Sequence, residues 1–162
     1  MNLNRRTLTL AVTLTLVVLA GCATTPAPTT IADTAARTPQ LSTLSKLIND
    51  AGLADTLRGA GPFTVFAPSN EAFKAVSAKT LAELAADKEL LKSVLTFHVL
   101  PGKVMAADVK NGNVKTVQGA NVAVSRAGTF VTVEDAVVQQ ADVPATNGVI
   151  HIIDKVLMPP KR

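Results

Sequence analysis

Side chains able to do covalent or acid–base chemistry are few in this 162-residue chain: one Cys, Cys22, and two His, His98 and His151, with no Tyr or Trp. One thiol excludes an intramolecular disulfide, and one Cys with two His falls short of the usual four-ligand zinc sets. Ser69, His151 and Asp154 are the residue types of an acyl-transfer triad. Ser69, however, lacks the Gly-x-Ser-x-Gly frame that exposes a nucleophile in one hydrolase class. It follows Pro68 where a helix through Phe73 would begin, which suits an N-cap, with Glu71 in the first turn. In an ideal strand, alternation sends His151 and Asp154 to opposite faces. The sequence has no Gly-x-x-x-x-Gly-Lys loop and no cluster of ligands at metal-binding spacing. It therefore predicts no catalytic residue, no cofactor and no metal.

The elements that must position these residues begin after an unusual N-terminus. Arg5 and Arg6 precede a 13-residue apolar run, Leu8 to Ala20. As a helix this run spans ~20 Å, short of the ~30 Å bilayer core, so it reads as the apolar stretch of a signal peptide, residues 1–21. Export through either the general or the twin-arginine route fits Arg5-Arg6. Leu19-Ala20-Gly21-Cys22 resembles the lipobox of bacterial lipoproteins. The resemblance implies a diacylglyceryl thioether on Cys22, cleavage before it and acylation of the new amine with a palmitate-type chain. Ala23 is not the Asp associated with retention in the inner membrane, so the outer membrane is favoured if the cell has two. Removal of residues 1–21 leaves 141 residues and lowers the formal charge from +4 to +2, because Arg5 and Arg6 are lost. With the remaining basic residues dispersed and aromatics at 3%, neither a basic stripe nor a stacking platform for nucleic acid is present.

Residues 23–39 contain three Pro and six Thr and few bulky apolar side chains. With Cys22 they predict an extended tether over 22–39, reaching up to ~50 Å and burying almost nothing. The folded part then spans 40–160. Leu41, Leu44, Leu47, Ile48 and Ala51 recur at helical spacing, and a short helix follows through Leu57. Phe63–Ala67 reads as a strand. Thr80-Leu-Ala-Glu83 fits a capping box, and Asp87 caps a helix whose apolar face carries Leu90, Leu91, Val94, Leu95 and His98. Beyond Val104, β-branched runs at 114–117, 122–124, 130–134, 136–138 and 149–154 are separated by Gly119, Gly128 and Asn147-Gly148 turns. Helices first and strands afterwards predict an α+β domain.

Three stretches then carry a resemblance together: Gly61-Pro-Phe-Thr-Val-Phe-Ala-Pro-Ser-Asn-Glu-Ala-Phe73, Leu95-Thr-Phe-His-Val-Leu-Pro-Gly-Lys-Val104 and Asn147-Gly-Val-Ile-His-Ile-Ile-Asp-Lys-Val-Leu-Met-Pro159. In this order they resemble the fasciclin domain family over roughly 38–160. The resemblance implies a single domain with N-terminal helices packed on a twisted β-wedge, built mainly from the C-terminal half. It also implies a surface-anchored adhesion module without catalytic activity. Phe97 and His98 stand where adhesive members often carry a Tyr-His pair, which makes them candidate partner-binding residues. Phe97 lacks the phenolic hydroxyl, so an integrin-type partner does not carry over. Both histidines lie on apolar faces and are expected to be buried, joining the motifs structurally with Thr64, Asn70 or Asp154 as hydrogen-bond partners. The expected partners are membrane lipid through Cys22 and a cell-envelope or extracellular protein. The alternative is a polysaccharide or a small hydrophobic ligand, and no nucleic acid is expected.

Overall fold

The computed structural model describes residues 29–160. Helices α1 (Ile31–Arg37), α2 (Ser42–Asp50) and α3 (Ala54–Arg58) precede strand β1 (Phe63–Pro68). Helices α4 (Asn70–Ala75), α5 (Ala78–Ala86) and α6 (Lys88–Phe97) follow, then β2 (Val99–Pro101), β3 (Gly112–Lys115), β4 (Asn121–Ala127), β5 (Phe130–Val133), β6 (Ala136–Ala145) and β7 (Gly148–Ile153). The strands form one seven-stranded sheet in the order β2-β1-β7-β6-β5-β4-β3. Every neighbouring pair is antiparallel except β1 and β7, which run parallel with Phe63 opposite Gly148 and Pro68 opposite Ile153.

The alternation of β1 and β7 divides the interior in two. Val65, Ala67, Ile150 and Ile152 face a core shared with Leu44 and Ile48 of α2 and with Leu91, Val94 and Leu95 of α6. Phe66 and Ile153 face a second core with Val122, Val124, Val131 and Val133 from β4 and β5. The sheet bends around this second core through β6. Its first residues pair with β5 and the rest with β7, and register shifts fall between Val138 and Gln140 and between Gln140 and Val143. Such bulges bend and twist a strand. The mouth of the wedge is bridged where Val117 N donates to Val99 O and Gln118 N to Thr96 O. This is the α+β wedge expected from the sequence.

Three expectations need correction. Residues 31–37 are not tether: Thr30 caps α1 by accepting from Asp33 N, and Ile31, Ala32 and Ala35 are buried. The Pro- and Thr-rich composition of the segment hid a short helix with one apolar face, one that becomes stable only when it packs against the domain. The helix containing Thr80 is capped by Ser77, whose hydroxyl accepts from Thr80 N, so Thr80 lies inside the first turn rather than before it. Finally, the strand expected over 136–138 runs to Ala145 as β6, and Val99–Pro101, where no strand is expected, forms β2. Both depend on pairing with β1 and β7, which a local pattern does not reveal. Ser69 and Asp87 do cap α4 and α6.

Burial of Ile31 generates a direct test. Ile31→Ala should destabilise the domain by about 2–4 kcal/mol in urea melts, the usual cost of a large-to-small core substitution. A change below about 0.5 kcal/mol would show that α1 does not pack.

Candidate functional site

The residues singled out by chemistry lie mostly inside the molecule, and their contacts are with backbone. His98 caps the C-terminus of α6 and is 2% exposed. Its Nδ1–H donates to Val94 O at 2.7 Å, and its Nε2 accepts from Leu157 N at 2.9 Å. These two bonds fix a neutral tautomer and join the second sequence motif to the end of the third. Burial pushes the pKa of His98 down to about 4, although the Val94 bond favours the charged form.

His151 occupies the equivalent role in the sheet. Its ring stacks on Phe66 with centroids 5.6 Å apart. Nε2–H donates to Val104 O at 2.9 Å, and Nδ1 accepts from Asp142 N at 3.2 Å. Asp142 adopts φ 57° at the β6 bulge, a left-handed conformation that Asp tolerates better than most residues. Its Oδ1 accepts from Ala106 N. Thr64 completes the clamp: its hydroxyl donates to Gly102 O and accepts from Val104 N. Thr64, His151 and Asp142 thus pin the backbone after β2 over Gly102–Ala106. Burial lowers the pKa of His151, opposed by the Val104 bond and the charge of Asp142.

The other candidates serve different places. Asn70 accepts from Thr43 N and donates to Pro39 O, stitching α4 to the start of α2. Asp154 accepts from Val137 N and so closes β7 against β6. The histidines are therefore not bonded to Thr64, Asn70 or Asp154; backbone groups take that place, because interior strands and helix ends bring N–H and C=O groups to the rings. Ser69 accepts from Ala72 N as a helix cap, so Ser69, His151 and Asp154 do not form a hydrogen-bonded relay. Phe97 is 1% exposed within the second core, and His98 is buried beside it. Neither side chain can meet a partner at the surface, which corrects the expectation drawn from the Tyr-His position. Cys22 lies outside the described residues.

The Asn147-Gly148 pair predicts a turn, and the Asn147 side chain does far more. Oδ1 accepts from Ile31 N at 2.9 Å, while Nδ2 donates to Leu57 O at 2.7 Å and Gly59 O at 2.9 Å. One amide thereby satisfies the free N–H at the start of α1 and the free carbonyls at the end of α3. Its backbone carbonyl accepts from Phe63 N. The Asn-Gly turn signal located the residue but carried no information about these distant partners.

Two concavities bear on ligand binding. An almost wholly apolar cleft between α2, α3, α6 and β1 measures about 30 Å³, far below the ~300 Å³ and more of ligand pockets. It has no room for a small hydrophobic ligand of ordinary size. A groove of about 460 Å³, lined by Asn121, Glu134, Asp135, Lys155 and Met158, is open and mixed in polarity. Among the described residues, no group of His, Cys, Asp and Glu is placed to hold a metal.

Comparison with known proteins places these features. The family model of the Fasciclin domain matches residues 39–159. The chain is 43% identical over 140 residues to protein sll1483 of Synechocystis, covering 85% of this chain and 78% of that one. It is 40% identical over 147 residues to the cell surface glycolipoprotein MPB83 of Mycobacterium bovis, covering 88% of this chain and only 64% of the relative. To the immunogenic protein MPT70 of Mycobacterium tuberculosis it is 39% identical over 135 residues, covering 80% and 69%. A FAS1 domain pair from the insect cell adhesion molecule fasciclin I superposes with TM-score 0.64 at 21% identity, covering 81% of this chain and 51% of that one. That last likeness concerns the fold.

Two tests follow from this geometry. Asn147→Ala should cost about 2–4 kcal/mol in urea melts, since it strands buried helix-end groups. Asn147→Asp keeps the acceptor for Ile31 N but loses both donors, so it should not restore stability; recovery by Asp would show that the Leu57 and Gly59 contacts are dispensable. The second concerns pH. Between about 4 and the ordinary histidine value of 6.5, the unfolded chain binds a proton at His98 that the folded chain does not. Stability is then fully present above pH ~6.5 and falls as pH drops towards 4, by on the order of 3 kcal/mol for this group, with His151 acting in the same direction. Urea melts from pH 7 to 4.5 should show this loss, and His98→Asn should flatten it. An unchanged slope in the variant would mean that other groups govern acid sensitivity.

Proposed function

The chain belongs to the fasciclin domain family, and on that premise we propose that it is an interaction module held outside the cytoplasm by acylated Cys22 and working by binding rather than catalysis. One observation carries the binding reading: the polar side chains with chemical potential, His98, His151, Ser69 and Asp154, are engaged by backbone groups that hold the fold together. The lipobox-like Leu19-Ala20-Gly21-Cys22 and the names of the mycobacterial relatives support a lipid-anchored, cell-surface setting. No helix among the described residues is long and apolar enough to cross a membrane. With Ala23 after the Cys, the outer membrane is the favoured site in a cell that has two.

The partner we favour is a cell-envelope or extracellular protein. Phe130 is 67% exposed. Val131 and Val133 point inwards, so Phe130 and Thr132 face outwards, and Val137 pairs with Thr132 on that same face. Exposed aromatic and branched side chains sharing a sheet face are the kind that anchor protein contacts. The open groove beside Glu134 is where a polysaccharide would instead be sought.

Anchoring is tested by detergent phase separation of whole-cell extracts: the wild type should enter the detergent phase and Cys22→Ser the aqueous phase. A wild-type protein left in the aqueous phase would overturn the acylation. Binding is tested by cross-linking on intact cells. Phe130→Glu should abolish capture of a protein partner while leaving the melting temperature within a degree or two; capture of polysaccharide alone, or unchanged protein capture, would reject the proposed face.

A further inference from the structure

The chain holds two Asn-Gly pairs, Asn111-Gly112 and Asn147-Gly148. An asparagine before glycine is open to attack on its side-chain carbonyl carbon by the next backbone nitrogen, because no Cβ shields that nitrogen. The fold treats the two pairs in opposite ways. Asn147 is clamped, with Oδ1 accepting from Ile31 N and Nδ2 donating to Leu57 O and Gly59 O. Swinging its Cγ towards Gly148 N would break all three bonds, and Gly148 itself is buried against Phe63 O.

Asn111 instead stands exposed just before β3, the strand at one edge of the sheet, and Gly112 is exposed beside it. Its one side-chain hydrogen bond among the described residues is made by Oδ1, which accepts from Arg126 N at 2.6 Å, so Nδ2 is free to leave. A Cβ on Gly112 would meet no atom within 4 Å, so its surroundings are open. Opposite Val124, Gly112 forms the terminal rung of the β3–β4 ladder, and such ends fray, which releases the backbone N–H. The Arg126 N–H sits where charge develops: addition to Cγ places negative charge on Oδ1, and a fixed donor there acts as in an oxyanion hole. Arg126 is steadied in turn, its Nε donating to Gly128 O and its Nη1 to Ala107 O.

We propose that Asn111 is a site of spontaneous deamidation, with water as the only co-reactant, and that the fold shields Asn147 from the same reaction. Hydroxide takes the proton from Gly112 N, the nitrogen bonds to Asn111 Cγ, and the Cγ–Nδ2 bond breaks, Nδ2 leaving as ammonia with a proton from water. Proximity speeds this closure, since nucleophile and carbonyl belong to adjacent residues. Water then adds to one of the two carbonyls of the cyclic imide. Opening at one C–N bond gives an aspartate; opening at the other gives an isoaspartate, whose main chain runs through Cγ. Each product adds one negative charge. The isoaspartate also inserts an extra carbon into the backbone before Gly112, moving it out of register with Val124. The β3 edge thus changes with the age of the molecule.

For the test, the full chain is kept folded in mildly alkaline buffer, where the amide proton is lost more often, and unfolded in the same buffer with guanidinium chloride. Released ammonia is assayed. Peptides from digestion at acid pH are mapped for the Asn-to-Asp mass gain and, by enzymatic methylation, for isoaspartate. In the folded chain, position 111 should convert several-fold faster than position 147; in denaturant the two rates should come together. Asn111→Gln should remove most of the ammonia release from the folded chain, because glutamine closes its larger ring slowly. No conversion at 111 in the folded chain, equal or faster conversion at 147, or a preference for 111 that persists undiminished in denaturant would overturn the proposal. So would ammonia release that Asn111→Gln leaves unchanged.

Discussion

Everything else in this fold is arranged around the parallel pairing of β1 with β7. The six registered pairs from Phe63–Gly148 to Pro68–Ile153 join segments more than 80 residues apart. Parallel neighbours cannot be joined by a hairpin, so the intervening chain must leave the sheet and return. It does so as helices that cover one face and a β-meander that folds over the other. The pair is consequently buried on both sides and carries apolar side chains in both phases of the alternation. Close approach at its start also limits residue choice: a Cβ on Gly61 would collide with Asn147 O, and one on Gly148 with Phe63 O.

Burial on both faces sets the terms for every polar group in the interior. No buried side-chain nitrogen or oxygen among the described residues lacks a hydrogen-bond partner. The two histidines meet that demand in the same way, each ring donating to one carbonyl and accepting one backbone N–H. A charged imidazole would present two donors and orphan the N–H it now accepts, so burial and geometry both favour the neutral form. The histidines thus act as cross-braces between segments that secondary structure does not connect: α6 to the C-terminal segment, and β7 to the loop after β2.

The same economy explains why α1 belongs to the domain. Seven residues are too few for a helix to persist alone in water. It persists because Asn147 satisfies its first N–H and because Ile31 and Ala35 fill the helical core. The start of the folded unit is thus decided by a few buried atoms.

By itself the sequence determined a good deal. The three motifs and the order of helices and strands are local patterns, and they identified the family and the α+β wedge. The apolar phase around His98 and around Val149–Ile153 likewise established that both histidines are interior, since periodicity reports which face a side chain shares. The caps at Ser69 and Asp87 were legible because a cap bonds within three residues of itself. Tertiary structure alone decided the rest: which backbone groups the histidine rings meet, that Phe97 is core rather than contact surface, that Asn147 joins α1 to α3, and that residues 31–37 fold at all. Each depends on atoms brought together from distant parts of the chain, and a hydrogen bond or a buried face between such parts leaves no periodic trace in the sequence.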